Sequence, residues 1–233
     1  MKCSLIILLV FSFCFVGNSQ SFWFGPKGGF NVGTQQGIRG LGVQPMIGYN
    51  AGFFVESYDE GNDTGSLYAS VGLHQRGRST NRFFSSFQNI LVPSVSYRYN
   101  NISLEVGAKK FVEGKNLFYK IGLRGEYTAF TNIEDVNQRI ISINSPFEQF
   151  VRPVLGGITI GGGYQYEISE LYGVSIEANI MPDFFNQYTA PDIGNIPHPI
   201  TGQSITIRAQ EIRNTTLEIT LAFRFLRKVI YVN

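Results

Sequence analysis

The chain has 233 residues, enough for one domain with a sizeable core. Charged residues make up only 15% of it and aromatic residues 14%, which leaves too little polar surface for an ordinary soluble globule. The net charge of +2 is small and argues against a nucleic-acid partner.

The N-terminus predicts an export signal. Lys2 supplies a positive charge, and Leu5 to Phe15 form an apolar stretch that is too short to span a membrane. Small residues follow, so we predict a signal peptide over residues 1–19 with cleavage after Ser19, against the alternative of a buried N-terminal helix. Both cysteines lie in this segment, and the mature chain is therefore expected to have no disulfide and no cysteine-based metal site.

The mature chain shows alternation of apolar and polar residues with a period of two, which is typical of strands. No long apolar run and no helical periodicity interrupts it. The alternation predicts eight strands, whose apolar faces are, in chain order, Phe22 to Val32, Val43 to Val55, Leu67 to Leu73, Ile102 to Ala108, Leu117 to Ala129, Val154 to Tyr166, Tyr172 to Ile180 and Leu217 to Phe225.

The two faces of these strands differ in chemistry. The apolar faces carry no charge, and the opposite faces carry six basic and six acidic residues: Lys27, Glu56, Arg76, Glu105, Lys109, Lys120, Arg124, Glu126, Glu167, Glu177, Glu218 and Arg224. A soluble lipocalin-like barrel would turn the apolar face inward, whereas a transmembrane barrel turns it toward lipid. A charge that faces lipid costs about 2–4 kcal/mol at the midplane, and the aromatic residues are too numerous for one small cavity. The pattern therefore predicts an all-β, eight-stranded antiparallel up-and-down transmembrane β-barrel with a filled, charged lumen.

An eight-stranded barrel has an interior that side chains can fill. Buried charges stay ionised only when they are paired and hydrogen-bonded. We therefore expect the twelve charges to form an internal ion-pair network, with inward glycines such as Gly122 and Gly157 leaving room for the longer side chains. Such a barrel is plugged rather than an open pore.

Residues 90–99 form a ninth candidate strand. As a separate span it would make the strand number odd and would place the longest loops on the same side as short turns. Bacterial outer-membrane barrels have even strand numbers, short periplasmic turns and long outer loops. We therefore predict one long strand over residues 91–112, whose alternation changes phase at Asn100 and Asn101 through a β-bulge.

Several segments resemble a known family. Phe24 to Asn31 reads FGPKGGFN and Gly48 to Phe54 reads GYNAGFF, and both resemble the opening of the small outer-membrane β-barrel proteins of Bacteroidetes, including porT-like members. Leu73 to Gly77 resembles the third strand of that family. Ile102 to Val106 resembles its strand that usually reads Leu-Glu-Ile-Pro, although Gly107 stands where Pro is common. For some relatives the resemblance implies an accessory role in protein secretion or outer-membrane assembly.

These observations divide the chain into a signal peptide over residues 1–19, a barrel over residues 20–226 and a periplasmic tail over residues 227–233, with both termini in the periplasm. Phe225 fits the terminal aromatic residue that the barrel-assembly machinery recognises. The tail that follows it is either a frayed end or a short strand that adds to a partner's sheet.

The remaining polar residues give weak signals for a site. His74 faces inward, but Ser70 on the same strand face lies about 13 Å away, too far for a direct Ser–His contact, so a hydrogen-bonding role in the lumen is favoured. His198 is a lone loop histidine and a poor metal ligand by itself. Arg78, Arg82 and the phenylalanines after them form a basic and aromatic segment that suits lipopolysaccharide or protein, or that is a loop without a ligand.

The sequence therefore predicts an outer-membrane protein that is not an enzyme, with no catalytic residues, no cofactor and no metal. Its expected role is structural or accessory docking, as a candidate subunit of a secretion or outer-membrane-assembly complex. The expected partners are outer-membrane lipid, lipopolysaccharide and, during biogenesis, the barrel-assembly machinery. The alternatives are a lipid-modifying enzyme and a narrow pore.

Overall fold

The computed structural model describes residues 21–36, 43–58, 65–80, 83–85, 90–92, 94, 96–133, 135, 147–197, 204–207 and 209–229. The predicted signal peptide and its cleavage site at Ser19 lie outside these residues, as does the last part of the predicted tail. Within the described ranges, no helix is long and apolar enough to cross a membrane.

Strands make up most of the described chain. In chain order they are β1 (Phe22–Gln36), β2 (Val43–Ser57), β3 (Gly65–Thr80), β4 (Phe83–Ser85), β5 (Ile90–Val92), β6 (Ser96–Phe111), β7 (Leu117–Thr131), β8 (Val154–Ser169), β9 (Tyr172–Pro182), β10 (Tyr188–Ala190), β11 (Ile193–Pro197), β12 (Ser204–Ile207) and β13 (Gln210–Arg227). One 3₁₀ helix, Phe147–Phe150, precedes β8.

Eight of these strands close into a ring. The antiparallel order is β1-β2-β3-β6-β7-β8-β9-β13, and β13 pairs back with β1 from Phe22 opposite Arg227 to Gln36 opposite Arg213. Every long strand therefore has a hydrogen-bonded neighbour on both sides, which removes the exposed sheet edges that an open sheet would have. The predicted eight-stranded up-and-down barrel is confirmed.

The shorter strands extend one end of the ring. β10 pairs with β13 beyond the point where β9 ends, β4 pairs with β5, and β11 pairs with β12. These additions lie at the end of the barrel that carries the long connections, which we call the loop end. The opposite end, with residues 21–22, the turn 112–116 and residues 227–229, we call the terminal end.

The alternation along each strand decides which side chains face out. On β7 the odd-numbered Leu117, Tyr119, Ile121 and Leu123 are exposed, and the even-numbered side chains between them are buried. Large apolar side chains are exposed in the same way on all eight strands of the ring. A contiguous apolar band of this extent is unfavourable in water and is what a barrel presents to hydrocarbon.

The predicted long strand over residues 91–112 is wrong at its start. β6 begins at Ser96, and Ile90–Val92 pairs with β4 in a separate small hairpin. From Ser96 to Phe111, however, β6 is a single strand, as the even strand number requires.

The predicted change of phase in β6 is also wrong. Tyr99 is buried inside the barrel together with Asn101, so the inward-facing residues of β6 are odd-numbered along the whole strand. The irregularity lies on the partner strand, because the register shift opposite Asn100 and Asn101 leaves Ala129 of β7 as the extra residue. The change of phase is predicted because Tyr97 and Tyr99 read as apolar-face residues in the alternation, whereas the structure places both on the inward face.

The last strand extends slightly past the predicted end of the barrel at residue 226. Arg227 is still part of β13 and pairs with Phe22. The Val229 N–H then donates a hydrogen bond to Ser21 Oγ at 3.0 Å. The first part of the predicted tail is therefore bound to the start of the barrel wall.

Arginine on the outward face should be tolerated only near the ends of the wall. Val106→Arg places the charge in the middle of the apolar band and should lower the free energy of unfolding by about 2–4 kcal/mol. Gln75→Arg, outward beside Asn100 toward the loop end, should lower it by about 1 kcal/mol or less. Denaturant unfolding in phospholipid vesicles measures both values, and equal losses would show that the apolar face does not meet lipid.

A lumen with two layers of ion pairs as the candidate functional site

The first layer of ion pairs lies toward the terminal end. Lys109 on β6 and Lys120 on β7 stand directly opposite each other in the strand ladder, where like charges repel. Glu177 on β9 accepts a hydrogen bond from each of them, at 3.0 Å from Lys109 Nζ and 2.6 Å from Lys120 Nζ. Glu56 on β2 adds a second carboxylate to Lys109 at 2.7 Å. The two lysines are thus held together by the carboxylates of two other strands.

Aromatic side chains surround the same lysine pair. Lys109 Nζ lies 4.7 Å from the centre of the Phe118 ring, 5.6 Å from Tyr68 and 5.7 Å from Phe54, distances at which an ammonium ion is attracted to a ring face. The Tyr68 hydroxyl donates a hydrogen bond to Glu105. This layer therefore combines charge pairing with close apolar packing and leaves its polar groups hydrogen-bonded.

The second layer lies toward the loop end. Arg76 on β3 contacts Glu126 at 2.8 Å and Asp183 at 3.1 Å, and Arg124 on β7 contacts Glu126 at 2.9 Å and also pairs with Asp183. Asn214 donates a hydrogen bond to the second oxygen of Asp183 at 3.2 Å. Two guanidinium groups and two carboxylates thus form a four-membered cluster that crosses the lumen and joins β3, β7 and the residue that follows β9.

Further polar contacts lie between the two layers. Lys27 Nζ donates a hydrogen bond to Ser70 Oγ at 3.0 Å. Nδ1 of His74 lies 3.3 Å from Glu218 Oε2, and Asn179 Nδ2 donates to the other Glu218 oxygen at 3.2 Å. His74 is therefore part of the interior network, and its nearest carboxylate contact is Glu218.

The terminal end of the lumen opens into a vestibule of roughly 690 Å³. Arg224 lies at its inner end, where it contacts Glu56 at 3.3 Å and stacks over the Trp23 ring at 4.6 Å. Glu167 lines the same vestibule and is exposed to solvent. The vestibule is thus bounded inside by the first ion-pair layer and is accessible from the terminal end.

Glycine on the inner wall makes space for the larger side chains. A Cβ atom at Gly122 would lie 2.4 Å from the Tyr68 hydroxyl oxygen, and one at Gly157 would lie 2.7 Å from Nη2 of Arg124. Both distances are far below van der Waals contact. These two positions therefore allow one residue from each layer to reach across the lumen.

The structure buries ten of the twelve charged residues that the sequence places in the lumen, namely Glu56, Arg76, Glu105, Lys109, Lys120, Arg124, Glu126, Glu177, Glu218 and Arg224. Lys27 is half-buried and bonds to a hydroxyl group, not a carboxylate. Glu167 faces the open vestibule and lies outside the buried network.

Asp183 is the buried carboxylate that sequence reasoning missed. It follows Pro182, the last residue of β9, and so lies beyond the alternation that the sequence shows from Tyr172 to Ile180. The inward positions of β9 are odd-numbered from Ser175 to Met181, and Asp183 continues this series. Extending the alternation by one step past the proline would have found it.

The inward aromatic residues were missed as well. Trp23, Phe54, Tyr68 and Phe118 are buried in the lumen although the sequence pattern assigns aromatic residues to lipid. Their positions in the alternation could have identified them as inward-facing, because Phe54 and Phe118 each lie two residues before a buried charge on the same strand.

The predicted terminal aromatic residue lies away from the network. Phe225 is exposed on the outer face, with its ring centre 6.0 Å from that of Phe24 on β1. His198 and Arg82 lie outside the described residues. Within the described part of the chain, no group of three or more His, Cys, Asp or Glu side chains is arranged to hold a metal ion.

Comparison with known proteins yields only distant structural neighbours. No family model and no curated protein matches the chain. The outer membrane protein OprG from Pseudomonas aeruginosa is 12% identical, with a TM-score of 0.47, and the alignment covers 89% of this chain and 97% of that one. Ail, the attachment invasion locus protein of Yersinia pestis, is 11% identical with a TM-score of 0.40. Its alignment covers 88% of this chain and 99% of that one.

Neisserial surface protein A is a third neighbour, 9% identical with a TM-score of 0.40 over 88% of this chain and 97% of that one. At such identities and TM-scores these likenesses carry no argument about function. The assignment of the fold rests on the pairing of this chain's own strands, above all on the contact between β1 and β13 that closes the ring.

Removing the carboxylate charge of Glu177 should destabilise the barrel strongly. Glu177→Gln leaves Lys120 with only the longer contact to Glu105 and leaves two lysines facing each other, and we expect a loss of about 3–5 kcal/mol in the free energy of unfolding. Glu167→Gln is the matched control, since this glutamate also lies on the inner face but is exposed, and it should change stability little. Denaturant unfolding in detergent micelles compares the two, and similar losses would contradict the proposed role of pairing.

Proposed function

We propose that this chain is an integral outer-membrane barrel that neither conducts nor catalyses, and that serves as a membrane anchor and docking surface. The observation that supports this most is the filled lumen. Two layers of buried ion pairs cross it, one around Glu177 and one around Asp183, and both draw their residues from several strands. A solute crossing the barrel would have to separate both layers.

The cost of opening the lumen supports a non-conducting barrel. Breaking a buried pair leaves an uncompensated charge, at a cost of about 3–5 kcal/mol. In the loop-end layer, Arg76 and Arg124 share both of their carboxylates, so the displacement of one side chain disturbs the whole cluster. We infer that the interior holds the barrel together and that function lies at its two ends.

The lengths of the connections support an orientation. At the terminal end, β6 joins β7 through residues 112–116, and β8 joins β9 through residues 170–171. At the loop end, 22 residues separate β7 from β8. Short periplasmic turns and long outer loops are the rule for bacterial outer-membrane barrels. We therefore assign the terminal end and both chain termini to the periplasm.

The vestibule at the terminal end is the docking surface that we favour. It brings half-buried Tyr58 together with exposed Lys115 and Glu167 in one concave region, and tyrosine is enriched at protein interfaces. A subunit of a secretion or outer-membrane-assembly complex is the class of partner that the family resemblance implies. Outer-membrane lipid surrounds the apolar band, and lipopolysaccharide is a further contact at the loop end.

Planar-bilayer recording tests whether the lumen is closed. We expect the purified protein to show no stable conductance, because each ion-pair layer blocks the path. The variant Arg76→Ala with Asp183→Ala weakens one layer only and should also stay closed, since the layer around Glu177 remains. A large, steady conductance from the unmodified protein would overturn the proposal.

Site-specific crosslinking tests the docking role. The mature chain is expected to have no cysteine, so Lys115→Cys beside the vestibule, Gly194→Cys in the β11–β12 hairpin and Leu104→Cys on the lipid-facing wall each introduce a single thiol. In native outer membranes, Lys115→Cys should yield a discrete crosslinked protein and Leu104→Cys should not. An adduct from Gly194→Cys alone would move the docking surface to the outer end, and no protein adduct from either end would refute docking.

A further inference from the structure

Arg78 is a basic residue that the ion-pair network does not use. The sequence groups it with an outer loop, but the structure places it on β3, two residues beyond Arg76 and on the same inward face. It is half-buried at the loop-end mouth of the lumen. Arg78 therefore faces the mouth from inside the barrel.

Local backbone geometry fixes the position of this side chain. Gly77 has a φ of +150°, and a Cβ atom there would lie 1.8 Å from the carbonyl oxygen of Tyr97, so only glycine lets β3 approach β6 this closely. The Arg78 guanidinium then lies 4.6 Å from the centre of the Tyr97 ring, within the range of a cation–π contact. The guanidinium is held in a defined place by the wall itself.

Two of the three side-chain nitrogen atoms of Arg78 lack a hydrogen-bond partner among the described residues. They are Nε and Nη1, and both are buried. Unmet donors on a buried charged group are costly, which is why such groups in native proteins usually have a protein, water or ion partner. A bound group that accepts hydrogen bonds would remove this cost.

The other buried cations differ from Arg78 in their partners. Each of them has a carboxylate within 2.6–3.3 Å; they are Arg76, Lys109, Lys120, Arg124 and Arg224. Among the described residues, Arg78 instead lies over the Tyr97 ring at 4.6 Å, with the phenols of Tyr99 and Tyr188 nearby. Within the described part of the chain, Arg78 therefore contacts an aromatic ring and forms no ion pair of the kind that the other cations have.

A count of the lumen charges also leaves Arg78 without a matching acid. Among the residues that the structure describes, six acids are buried, namely Glu56, Glu105, Glu126, Glu177, Asp183 and Glu218, and the five buried cations together with half-buried Lys27 also make six. Arg78 is a seventh basic group, so the positive charge that remains lies at the loop-end mouth. This charge is left available to an external anion.

We propose that Arg78, together with the surrounding tyrosines, forms a binding site for an oxyanion, a phosphate or carboxylate group that enters the mouth from outside the cell. The planar guanidinium presents several N–H donors in a fork that matches such a group, and phenol hydroxyls are additional donors. The layer around Arg76 and Asp183 lies directly below, so the anion binds at the mouth and goes no further. The site stands independently of the docking role.

NMR titration of the detergent-solubilised protein with inorganic phosphate and with acetate tests the site. We expect saturable shifts of the amide signals of Gly77 and Tyr97. Arg78→Gln should weaken binding by roughly tenfold or more, because it removes charge-assisted hydrogen bonds. Arg78→Lys keeps the charge but loses the forked arrangement of donors, so its affinity for the anion should lie between those of the unmodified protein and Arg78→Gln. It also provides a second variant if Arg78→Gln does not fold.

Arg98→Gln is the matched control. Arg98 pairs with Gly77 at the same end of the wall but is exposed on the outward face, so its loss should leave anion binding unchanged. Equal affinities in Arg78→Gln and the unmodified protein, or shifts that do not saturate with either anion, would overturn the proposal. Equal weakening by Arg98→Gln would do the same, because it would reduce the effect to general surface charge.

Nanodiscs distinguish the source of the anion. The same amide signals are followed in phosphatidylcholine nanodiscs with and without lipid A. If lipid A shifts them and competes with phosphate, the site takes a glycolipid headgroup. If only soluble phosphate or acetate shifts them, the site takes a free solute. Both results keep the oxyanion site and differ only in the molecule that carries the anion.

Discussion

The pairing of buried charge is the interaction on which the rest of this barrel depends. Removing a carboxylate or an ammonium group from water costs several kcal/mol per ion, and the cost is recovered only when good geometry and further hydrogen bonds accompany the ion pair. Glu177 meets this condition by bonding to two lysines, and Asp183 meets it by contacting two arginines and an asparagine. Glycine at positions such as Gly122 and Gly157 follows from the same requirement, because the paired side chains need the space.

This requirement also determines where function can lie. A lumen crossed by two shared clusters has its charges committed to one another, so the interior acts as the core of the protein while the apolar side chains face lipid. Two charged groups at the ends of the lumen are not part of these clusters. Glu167 is exposed in the vestibule at one end, and Arg78 lies among tyrosines at the other. Among the described residues, the two ends of the lumen therefore differ in the charged group that each presents.

Much of this architecture can be predicted from the sequence, because alternation with a period of two assigns residues to faces and the energy of a lipid-facing charge assigns one face to the interior. Sequence alone could not place the ends of the strands. Asp183 lies beyond the predicted end of its strand and is nevertheless buried. Glu167 is on the inward face but is exposed because it lies in the vestibule at the terminal end, and Tyr99 is an aromatic residue that is buried on the inward face. Burial near a barrel rim depends on how far neighbouring strands extend and on register, and the extra residue Ala129 on β7 is visible only from the pairing.

A double-mutant cycle between Arg76 and Asp183 tests the central role of pairing most directly. The free energy of unfolding is measured in phospholipid vesicles for Arg76→Met, for Asp183→Asn and for the double variant. If the two groups stabilise each other, the double variant should lose less than the sum of the single losses, with a coupling energy above about 1 kcal/mol. Losses that add to within about 0.5 kcal/mol would show that the two charges act independently and would contradict the account.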